Sequence, residues 1–383
     1  MAKQNKPAIR FKGFTDAWEQ RKLGDCFTER CESMPDGELI SVTINDGIKK
    51  FSELGRHDNS NDDKSKYKKV CVGDIAYNSM RMWQGASGCS PYEGIVSPAY
   101  TVLTPNSGIN SKCMAYQFKL PATIHTFKIN SQGITSDNWN LKFPALSEIE
   151  IYVSPYEQEQ AKIAAYFANL DHLITLHQRK YDKLQVLKKA MLEKMFPKNG
   201  SSVPEIRFKG FTDAWEQRKA KELCNIGTGK SNTQDQVEDG IYPFYIRSDI
   251  PVKSNKYLYD CEAVITIGDG NIGRVFHYVN GKFDLHQRCY KMTDFQDIWG
   301  KYFYYFFSTR FYDRAMKMTA KATVDSVRLE MISEMDIWKP TAIDEQKKIA
   351  EFFANLDHLI TLHQRKYDKL QNIKKSMLEK MFV

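Results

Sequence analysis

The sequence contains no long apolar run, no cysteine pair at metal-binding spacing and no Pro-Pro dipeptide. A membrane-spanning helix needs about 18 or more consecutive apolar residues, so no membrane span is expected. The eight cysteines are scattered, and the closest two, Cys26 and Cys31, are five positions apart. Zinc sites and disulfide frameworks are therefore not expected, whereas free thiols in a reducing cytoplasm are. The N-terminal segment has no apolar stretch behind its charges, so no secretion signal is expected.

Motifs for catalysis are equally scarce. Methylation of an amino group on a base would require an Asn/Asp/Ser-Pro-Pro-aromatic tetrapeptide or a close relative, and the chain contains none. Gly268–Gly273 fits GxGxxG, but a strand-like segment follows it instead of the helix that would bind a pyrophosphate, so we interpret it as a hairpin loop. Gly227–Ser231 resembles the end of a P-loop, but Cys224 stands where the leading glycine belongs. The sequence therefore predicts neither a methyltransferase nor a nucleotide-binding enzyme.

Two segments of the chain occur twice without change. Ile9–Lys22 recurs as Ile206–Lys219, and Phe167–Gln185 recurs as Phe353–Gln371. The stretches between these segments barely resemble each other, which a plain recent duplication would not produce. Two copies of one docking surface beside two different ligand-reading surfaces would account for the pattern.

The second repeated segment predicts a long helix in each half. Its seam residues step alternately by four and three positions, which is the pattern of a coiled coil. The seam consists of Phe167, Leu170, Ile174, His177, Tyr181 and Leu184 in the first half, and of Phe353, Leu356, Ile360, His363, Tyr367 and Leu370 in the second. No proline or glycine interrupts Glu159–Phe196, which would extend roughly 57 Å as a helix. We expect the two seams to pair as an antiparallel coiled coil, with His177 near His363.

The inner regions have the patterns of mixed domains. Strand-like segments are Leu39–Ile44, Asp74–Met80 and Ile95–Leu103 in the first half, and Tyr242–Ser248, Glu262–Ile267, Arg274–Val279 and Gln287–Met292 in the second. Ser111–Asn130 predicts a helix interrupted at Pro121, and Asp297–Met318 predicts a helix whose aromatic side chains form core.

The predicted fold class is α+β, with two mixed α/β domains joined by two long helices in a pseudo-two-fold tandem repeat. The predicted segments are a first mixed domain at 1–156, a helix at 157–197, a linker at 198–204, a second mixed domain at 205–342 and a second helix at 343–383.

Local basic patches, not the net charge of +8, are the candidates for nucleic-acid contact, because the two helical segments carry most of the surplus. Arginine reads guanine with two hydrogen bonds, glutamine reads adenine, and lysine suits phosphate. The candidate DNA-binding residues are Lys49, Lys50, Arg81, Trp83, Gln84, Lys230, Arg247, Lys253, Arg274 and Arg288. An ordinary solvated charge is an equal alternative for any one of them. No catalytic residue or metal site is predicted, since His172 and His177 are five positions apart on a helix and do not share a face.

The order of these features resembles the specificity subunit of a Type I restriction–modification enzyme. The most specific elements are Glu159-Gln160 and Glu345-Gln346, each followed by the spaced apolar residues of FANLDHLI and a lysine-rich helix that ends in MLEKMF. The stretches VGDIAYNSM and GIVSPAYTVL also resemble strands of that family's target recognition domains. The resemblance covers essentially the whole chain.

This resemblance implies a non-catalytic subunit in which two target recognition domains each read one half of an asymmetric bipartite site in double-stranded DNA. The helices would set the gap between the half-sites, and their seam residues would serve as spacer and docking elements. Two methyltransferase subunits would dock on the repeats, and restriction/translocase subunits would join them. No cofactor would bind this chain, whereas S-adenosylmethionine, ATP and magnesium would bind the partners. A coiled-coil scaffold carrying two modules for ligands other than DNA is the alternative.

Overall fold

The chain divides into two compact units in a computed structural model that describes residues 5–44, 47–135, 138–198, 201–318 and 326–383. Unit 1 comprises Met1–His177 and Arg365–Val383, and unit 2 comprises Gln178–Gln364. Each unit therefore combines one inner region with parts of both long helices. The predicted segment boundaries stay a prediction, because each compact unit contains parts of several predicted segments. Residues 199 and 200 of the predicted linker lie outside the described residues.

The inner region of unit 1 is built from short strands and short helices. Its strands are β1 (Glu19–Lys22), β2 (Phe27–Glu29), β3 (Ile40–Thr43), β4 (Gly47–Lys50), β5 (Lys68–Val70), β6 (Ile75–Asn78), β7 (Ser87–Cys89), β8 (Gly94–Val96), β9 (Tyr100–Pro105) and β10 (Glu150–Val153). Its helices are α1 (Leu23–Cys26), α2 (Ser111–Gln117), α3 (Pro121–Ile129) and α4 (Phe143–Ser147). Strands β2, β9, β6 and β7 form an antiparallel sheet in that order, and β1–β10, β3–β4 and β5–β8 form antiparallel pairs.

One strand prediction in this region is wrong. The segment Ile95–Leu103 is not continuous, because it divides into β8 and β9, which join different sheets. The backbone turns between them, where the N–H of Tyr100 donates to the carbonyl of Ser97 at 3.0 Å. Pro98 lies in this turn, and a proline cannot donate to a strand ladder, so β8 ends before it.

Unit 2 has one larger sheet and an aromatic helix against it. Its strands are β11 (Glu216–Lys219), β12 (Asn225–Thr228), β13 (Tyr242–Tyr245), β14 (Val252–Ser254), β15 (Tyr259–Ile267), β16 (Phe276–Leu285), β17 (Cys289–Thr293) and β18 (Asp336–Lys339). Its helices are α6 (Ala220–Leu223), α7 (Gly300–Met318) and α8 (Leu329–Ser333), and the sheet order is β12-β17-β15-β16-β13-β14. The aromatic side chains of α7 are core, as predicted: Tyr302, Phe303, Phe306, Phe307 and Phe311 are buried.

The two long helices are α5 (Glu157–Lys194), which follows α4 and β10, and α9 (Ile343–Met381). Within unit 1, the start of α5 packs against the end of α9: Phe167 stacks on Phe382 at 6.0 Å between ring centroids, and Asp171 pairs with Lys374 at 2.5 Å. Residue numbers rise along one helix as they fall along the other, so the pairing is antiparallel. Within unit 2, Phe353 stacks on Phe196 at 5.8 Å in the same way. The predicted helices and their antiparallel packing are confirmed.

The first repeated segment is fixed to the start of each long helix by a buried ion pair. Arg10 donates two hydrogen bonds to Glu159 in unit 1, and Arg207 donates two to Glu345 in unit 2, with Nη2–Oε2 distances of 2.8 Å in both. Both glutamates are almost wholly buried. A bidentate arginine–carboxylate pair gives this junction a defined angle.

The glutamine of each Glu-Gln motif then attaches the inner region through backbone atoms. Gln160 accepts from the backbone N–H of Asn110, and Gln346 accepts from that of Trp299, at 2.8 Å in both units. Backbone groups are the same in any sequence. Identical helices can therefore hold inner regions whose side chains differ.

Among the residues that the structure describes, no helix is long and apolar enough to cross a membrane.

Candidate nucleic-acid interface

Two of the predicted arginines in unit 2 converge on one carboxylate. Arg247 follows β13, Arg288 lies in the turn between β16 and β17, and Asp269 lies in the loop between β15 and β16. The Nη1 atom of Arg288 lies 2.7 Å from Oδ2 of Asp269, and the Nη1 atom of Arg247 lies 3.3 Å from both carboxylate oxygens. The segment after β13, the loop between β15 and β16 and the turn between β16 and β17 thereby bring two guanidinium groups together on one carboxylate.

The loop that carries Asp269 is the segment Gly268–Gly273. Because β15 and β16 pair antiparallel on either side of it, the predicted hairpin loop is confirmed. The N–H of Gly268 donates to the carbonyl of Arg288 at 2.7 Å, and a Cβ at position 268 would stand 2.6 Å from that oxygen. The glycine therefore permits a close approach of the loop to the Arg288 turn. On its other side, the carbonyl of Gly268 accepts from the N–H of Val327 at 2.6 Å.

The electrostatics of this cluster depend on the arginines. Burial opposes ionisation of Asp269, but hydrogen bonds from Arg288 and Arg247 outweigh it and lower the pKa of the carboxyl group. Nearby, burial followed by the positive charge of Arg247 lowers the pKa of His286. At neutral pH the cluster thus consists of one carboxylate and two guanidinium groups. A cleft of about 330 Å³ adjoins it and is lined by Thr233, Ile246, Arg247, Ser248, Asp269 and Gly270.

The other predicted residues of unit 2 lie around the same sheet. Arg274 follows the loop and stacks on Tyr312, with its guanidinium carbon 4.4 Å from the ring centroid and an Nη2 hydrogen bond of 2.8 Å to the hydroxyl group. Lys230 is exposed, and its backbone donates to Leu285 near the Arg288 turn. Lys253 is exposed on the edge strand β14.

In unit 1, Arg81, Trp83 and Gln84 are brought together by a short 3₁₀ helix, Met82–Gln84. Met82 is buried and anchors this turn, while Arg81 is exposed and donates to Oε1 of Gln84 at 3.2 Å. The Trp83 indole N–H donates to the carbonyl of Met80 at 3.0 Å. Its ring meets the ring of Trp139 edge-on, with 5.2 Å between the centroids.

Lys49 and Lys50 lie on β4, which pairs with β3. Lys50 is held by Glu38 at 2.8 Å and lies 5.4 Å from the ring centroid of Tyr92, so its charge is partly neutralised within the chain. Their contact with DNA, like that of the other candidate residues, stays a prediction.

The seam residues are divided between buried and half-buried positions. Phe167, Leu170 and Ile174 are buried in unit 1, and Phe353 and Leu356 in unit 2. The remaining seam residues are half-buried, namely His177, Tyr181, Leu184, Ile360, His363, Tyr367 and Leu370. A buried side chain such as Phe167 offers no surface to another molecule. Its burial is therefore compatible with a role in the packing of the spacer helices. The predicted proximity of His177 and His363 stays a prediction.

Two features of the site are absent from the sequence-based candidates. Asp269 is an acidic residue among basic ones, and only its place in a glycine-rich loop could have marked it. The exposed faces of the repeats are the second feature: Leu173 and Leu176, with their copies Leu359 and Leu362, are 36–40% exposed. Within the described residues, no group of three or more His, Cys, Asp or Glu side chains is placed to hold a metal ion.

Comparison with known proteins agrees with this architecture. The sequence model of the Type I restriction modification DNA specificity domain matches the chain twice, at residues 15–186 and 212–372. The chain is 21% identical over 350 residues to the Type I restriction enzyme MjaVIII specificity subunit of Methanocaldococcus jannaschii, covering 82% of this chain and 81% of that protein. It is 30% identical over 76 residues to the Type I restriction enzyme EcoDI specificity subunit of Escherichia coli, covering 20% of this chain and 17% of that one.

A solved structure has the same fold. The Type I restriction–modification system S subunit from M. genitalium superimposes with a TM-score of 0.69 at 15% identity, covering 99% of both chains. The two domain matches span most of the chain, with one match to each half. The chain therefore belongs to the family of Type I restriction–modification DNA specificity subunits.

Proposed function

We propose that this chain is the DNA-reading subunit of a Type I restriction–modification complex, and that each inner region reads one half of a bipartite duplex site. The observation that carries the proposal is that two unlike inner regions are held by the same framework, through Gln160 in one unit and Gln346 in the other. Exposed basic groups are present in both, at Arg81 in unit 1 and at Arg247 and Arg288 in unit 2. Since the inner regions differ, the half-sites differ and the target is not a palindrome.

The long helices act as the spacer in this proposal. Helix α9 has 39 residues and so extends roughly 58 Å at about 1.5 Å per residue. The buried seam and the Arg10–Glu159 type of junction give each inner region a fixed attachment to the helices. A rigid spacer defines the number of unread base pairs between the half-sites.

Recruitment of two methyltransferase subunits uses the exposed parts of the repeats in this proposal. Leu173 and Leu176 form an apolar face on α5, and Leu359 and Leu362 form its identical copy on α9. Two identical faces accommodate two copies of one partner. The partners supply the chemistry, with S-adenosylmethionine for adenine methylation and ATP and magnesium for the restriction subunits, while this chain contributes no catalytic group.

The test is to express the chain with its cognate methyltransferase subunit in a host whose DNA lacks that modification, and to map the methylated adenines. A single motif with two unlike halves and a constant gap is expected. Binding of the complex to a duplex carrying that motif should weaken steeply with salt, because phosphate contacts release counterions. No methylated motif and no salt-dependent duplex binding would favour the rival function, a scaffold with two modules for other ligands.

A further inference from the structure

We propose that Asp269 is a positioning residue for sequence specificity, whose carboxylate holds Arg247 and Arg288 in the geometry that reads bases in the half-site of unit 2. The inference rests on the proposed DNA-reading function and assigns a role to the loop Gly268–Gly273. Asp269 does not itself touch DNA in this account. It acts through the two arginines.

Exposure separates the roles of the three side chains. The Asp269 side chain is 15% exposed, whereas those of Arg247 and Arg288 are 46% and 61% exposed. The carboxylate is thus recessed, and the guanidinium groups that it holds extend toward solvent. A contrasting pair in unit 1, Arg30 with Asp74, has both side chains mostly buried and offers no such surface.

The hydrogen bonds to Asp269 leave one edge of each guanidinium group available for contact with a base. Both contacts are made through Nη1. A guanidinium group has five N–H donors in a planar fork, so its Nε–Nη2 edge still presents two parallel donors. Two parallel donors match the O6 and N7 acceptors of guanine in the major groove. The carboxylate therefore restricts the orientation of each arginine without occupying that edge.

The loop itself is fixed by backbone contacts on both sides. Gly268 bonds to the carbonyl of Arg288 on one side and to the N–H of Val327 on the other. The backbone that carries Asp269 is thereby tied to the turn that carries Arg288. A long, exposed arginine loses considerable rotational freedom when it binds, and holding it in place beforehand removes part of that loss from the binding step.

The charge of the cluster favours base reading over phosphate binding. A carboxylate between two arginines reduces the local positive charge and repels phosphate, so it would weaken a surface that served only to attract the DNA backbone. In base reading, by contrast, the carboxylate orients the two arginines before they bind, and this gain outweighs the repulsion of phosphate.

The experiment compares Asp269→Asn with Asp260→Asn in the complete complex with its partner subunits. Asp260 is exposed near the start of β15 in the same unit, so both variants remove one negative charge, but only the first disturbs the arginines. The methylated motif is mapped in host genomic DNA for each. Asp269→Asn is expected to relax one or more positions in one half of the motif and to leave the other half intact, whereas Asp260→Asn keeps the wild-type motif.

Binding to a synthetic duplex then gives the size of the effect. Discrimination between the mapped motif and a duplex altered at a relaxed position is expected to fall roughly 5- to 150-fold in Asp269→Asn. Affinity for unrelated duplex should stay level or rise, because a negative charge has been removed.

Several results would overturn the inference while leaving the proposed function standing. A wild-type motif from Asp269→Asn, or a uniform loss of methylation with an unchanged motif, would do so. Should Asp269→Asn fail to assemble, Arg247→Lys and Arg288→Lys keep the charge but lose the fork, and both must relax positions in the same half-site. Failure of the wild-type complex to give any motif would count against the proposed function itself.

Discussion

The indole ring of Trp18 meets Phe382 edge-on, with ring centroids 5.9 Å apart, so the first and last elements of the chain share one core. Phe167 also stacks on Phe382, within the same cluster. In unit 2, Phe196 takes the corresponding place beside Phe353. The MLEKMF end of each long helix therefore packs against the start of the other long helix: Phe382 packs on Phe167 in unit 1, and Phe196 packs on Phe353 in unit 2. The same contact between the start of one helix and the end of the other is thus made twice, which is a physical reason for the two repeated segments to be alike.

Replacing Phe382 by alanine should destabilise unit 1 selectively. Phe382 is 5% exposed, and truncation of a buried phenylalanine typically costs about 3–5 kcal/mol. Hydrogen exchange followed by mass spectrometry should show faster exchange at the start of α5 and in the Ile9–Lys22 segment, while unit 2 stays protected. Phe196→Ala is the matched variant and should open unit 2 instead. Val383→Ala, at an exposed side chain, serves as the control, and equal effects of Phe382→Ala on both units would refute the arrangement.

Breaking the buried pair between Arg10 and Glu159 should be costly. Glu159→Gln leaves a guanidinium that is mostly buried without its counter-charge, at an expected cost of about 3–5 kcal/mol. The pair between Lys22 and Glu148 is a suitable control, because both side chains are largely exposed and water replaces the contact. Calorimetry should therefore give a clear drop in unfolding temperature for Glu159→Gln and almost none for Glu148→Gln. Similar drops in the unfolding temperature of both variants would argue against the idea that the buried pair fixes the first repeated segment to α5.

Local patterns predict the helices and many of the strands, but not the long-range packing. The alternating spacing around Phe167 and the absence of helix breakers are enough to specify α5, because both act over neighbouring turns. Pro98 divides a predicted strand, because its missing N–H interrupts the ladder where the residue pattern alone favours continuity. The packing of Trp18 on Phe382 joins the two ends of the sequence, and no local pattern encodes it.

The candidate site was predictable only in part, for a similar reason. Arg247 and Arg288 are candidates because of their chemistry, which is visible in the sequence. Their convergence on Asp269 depends on three segments that are distant in the sequence and lie between different strands, and the order of strands in that sheet is set by tertiary packing. Burial is likewise a result of tertiary packing: Phe167 is a sequence-based candidate for both spacer and docking, and its complete burial could not be predicted from the spacing alone.

The repeated leucine faces should govern how many partners bind. Replacing Leu173 and Leu176 with glutamate places charge on one proposed docking face, so native mass spectrometry should find one methyltransferase subunit per chain in place of two. Replacing Leu359 and Leu362 with glutamate as well should abolish binding of both methyltransferase subunits. Val186→Glu is the control, because Val186 is 70% exposed on α5 but its counterpart in the second helix is not apolar. Two bound partners in the fourfold variant would exclude these faces as docking sites.

The exposed lysines of unit 2 should contribute to the salt dependence of DNA binding. Removing one phosphate contact reduces the slope of log K against log salt by about 0.9, so Lys230→Gln with Lys253→Gln should reduce it by about 1.8. Fluorescence anisotropy on the mapped duplex between roughly 50 and 200 mM salt measures this slope. Lys221→Gln removes a charge that is already paired with Glu334 at 2.7 Å, and it should change the slope little. A double variant with the wild-type slope would remove these lysines from the phosphate contacts.

Lengthening one long helix should lengthen the gap in the recognised DNA. Repeating the four residues Thr175–Gln178 adds roughly 6 Å of helix, which is close to two base pairs at about 3.4 Å each. The methylated motif should keep both half-sites, because the inner regions are untouched, and tolerate a longer gap. The same four residues inserted after Asn59, in an exposed loop of unit 1, control for the added length of chain and should leave the gap unchanged. If the helix insertion also preserved the gap, the distance between the half-sites would have to be set by something other than the helices.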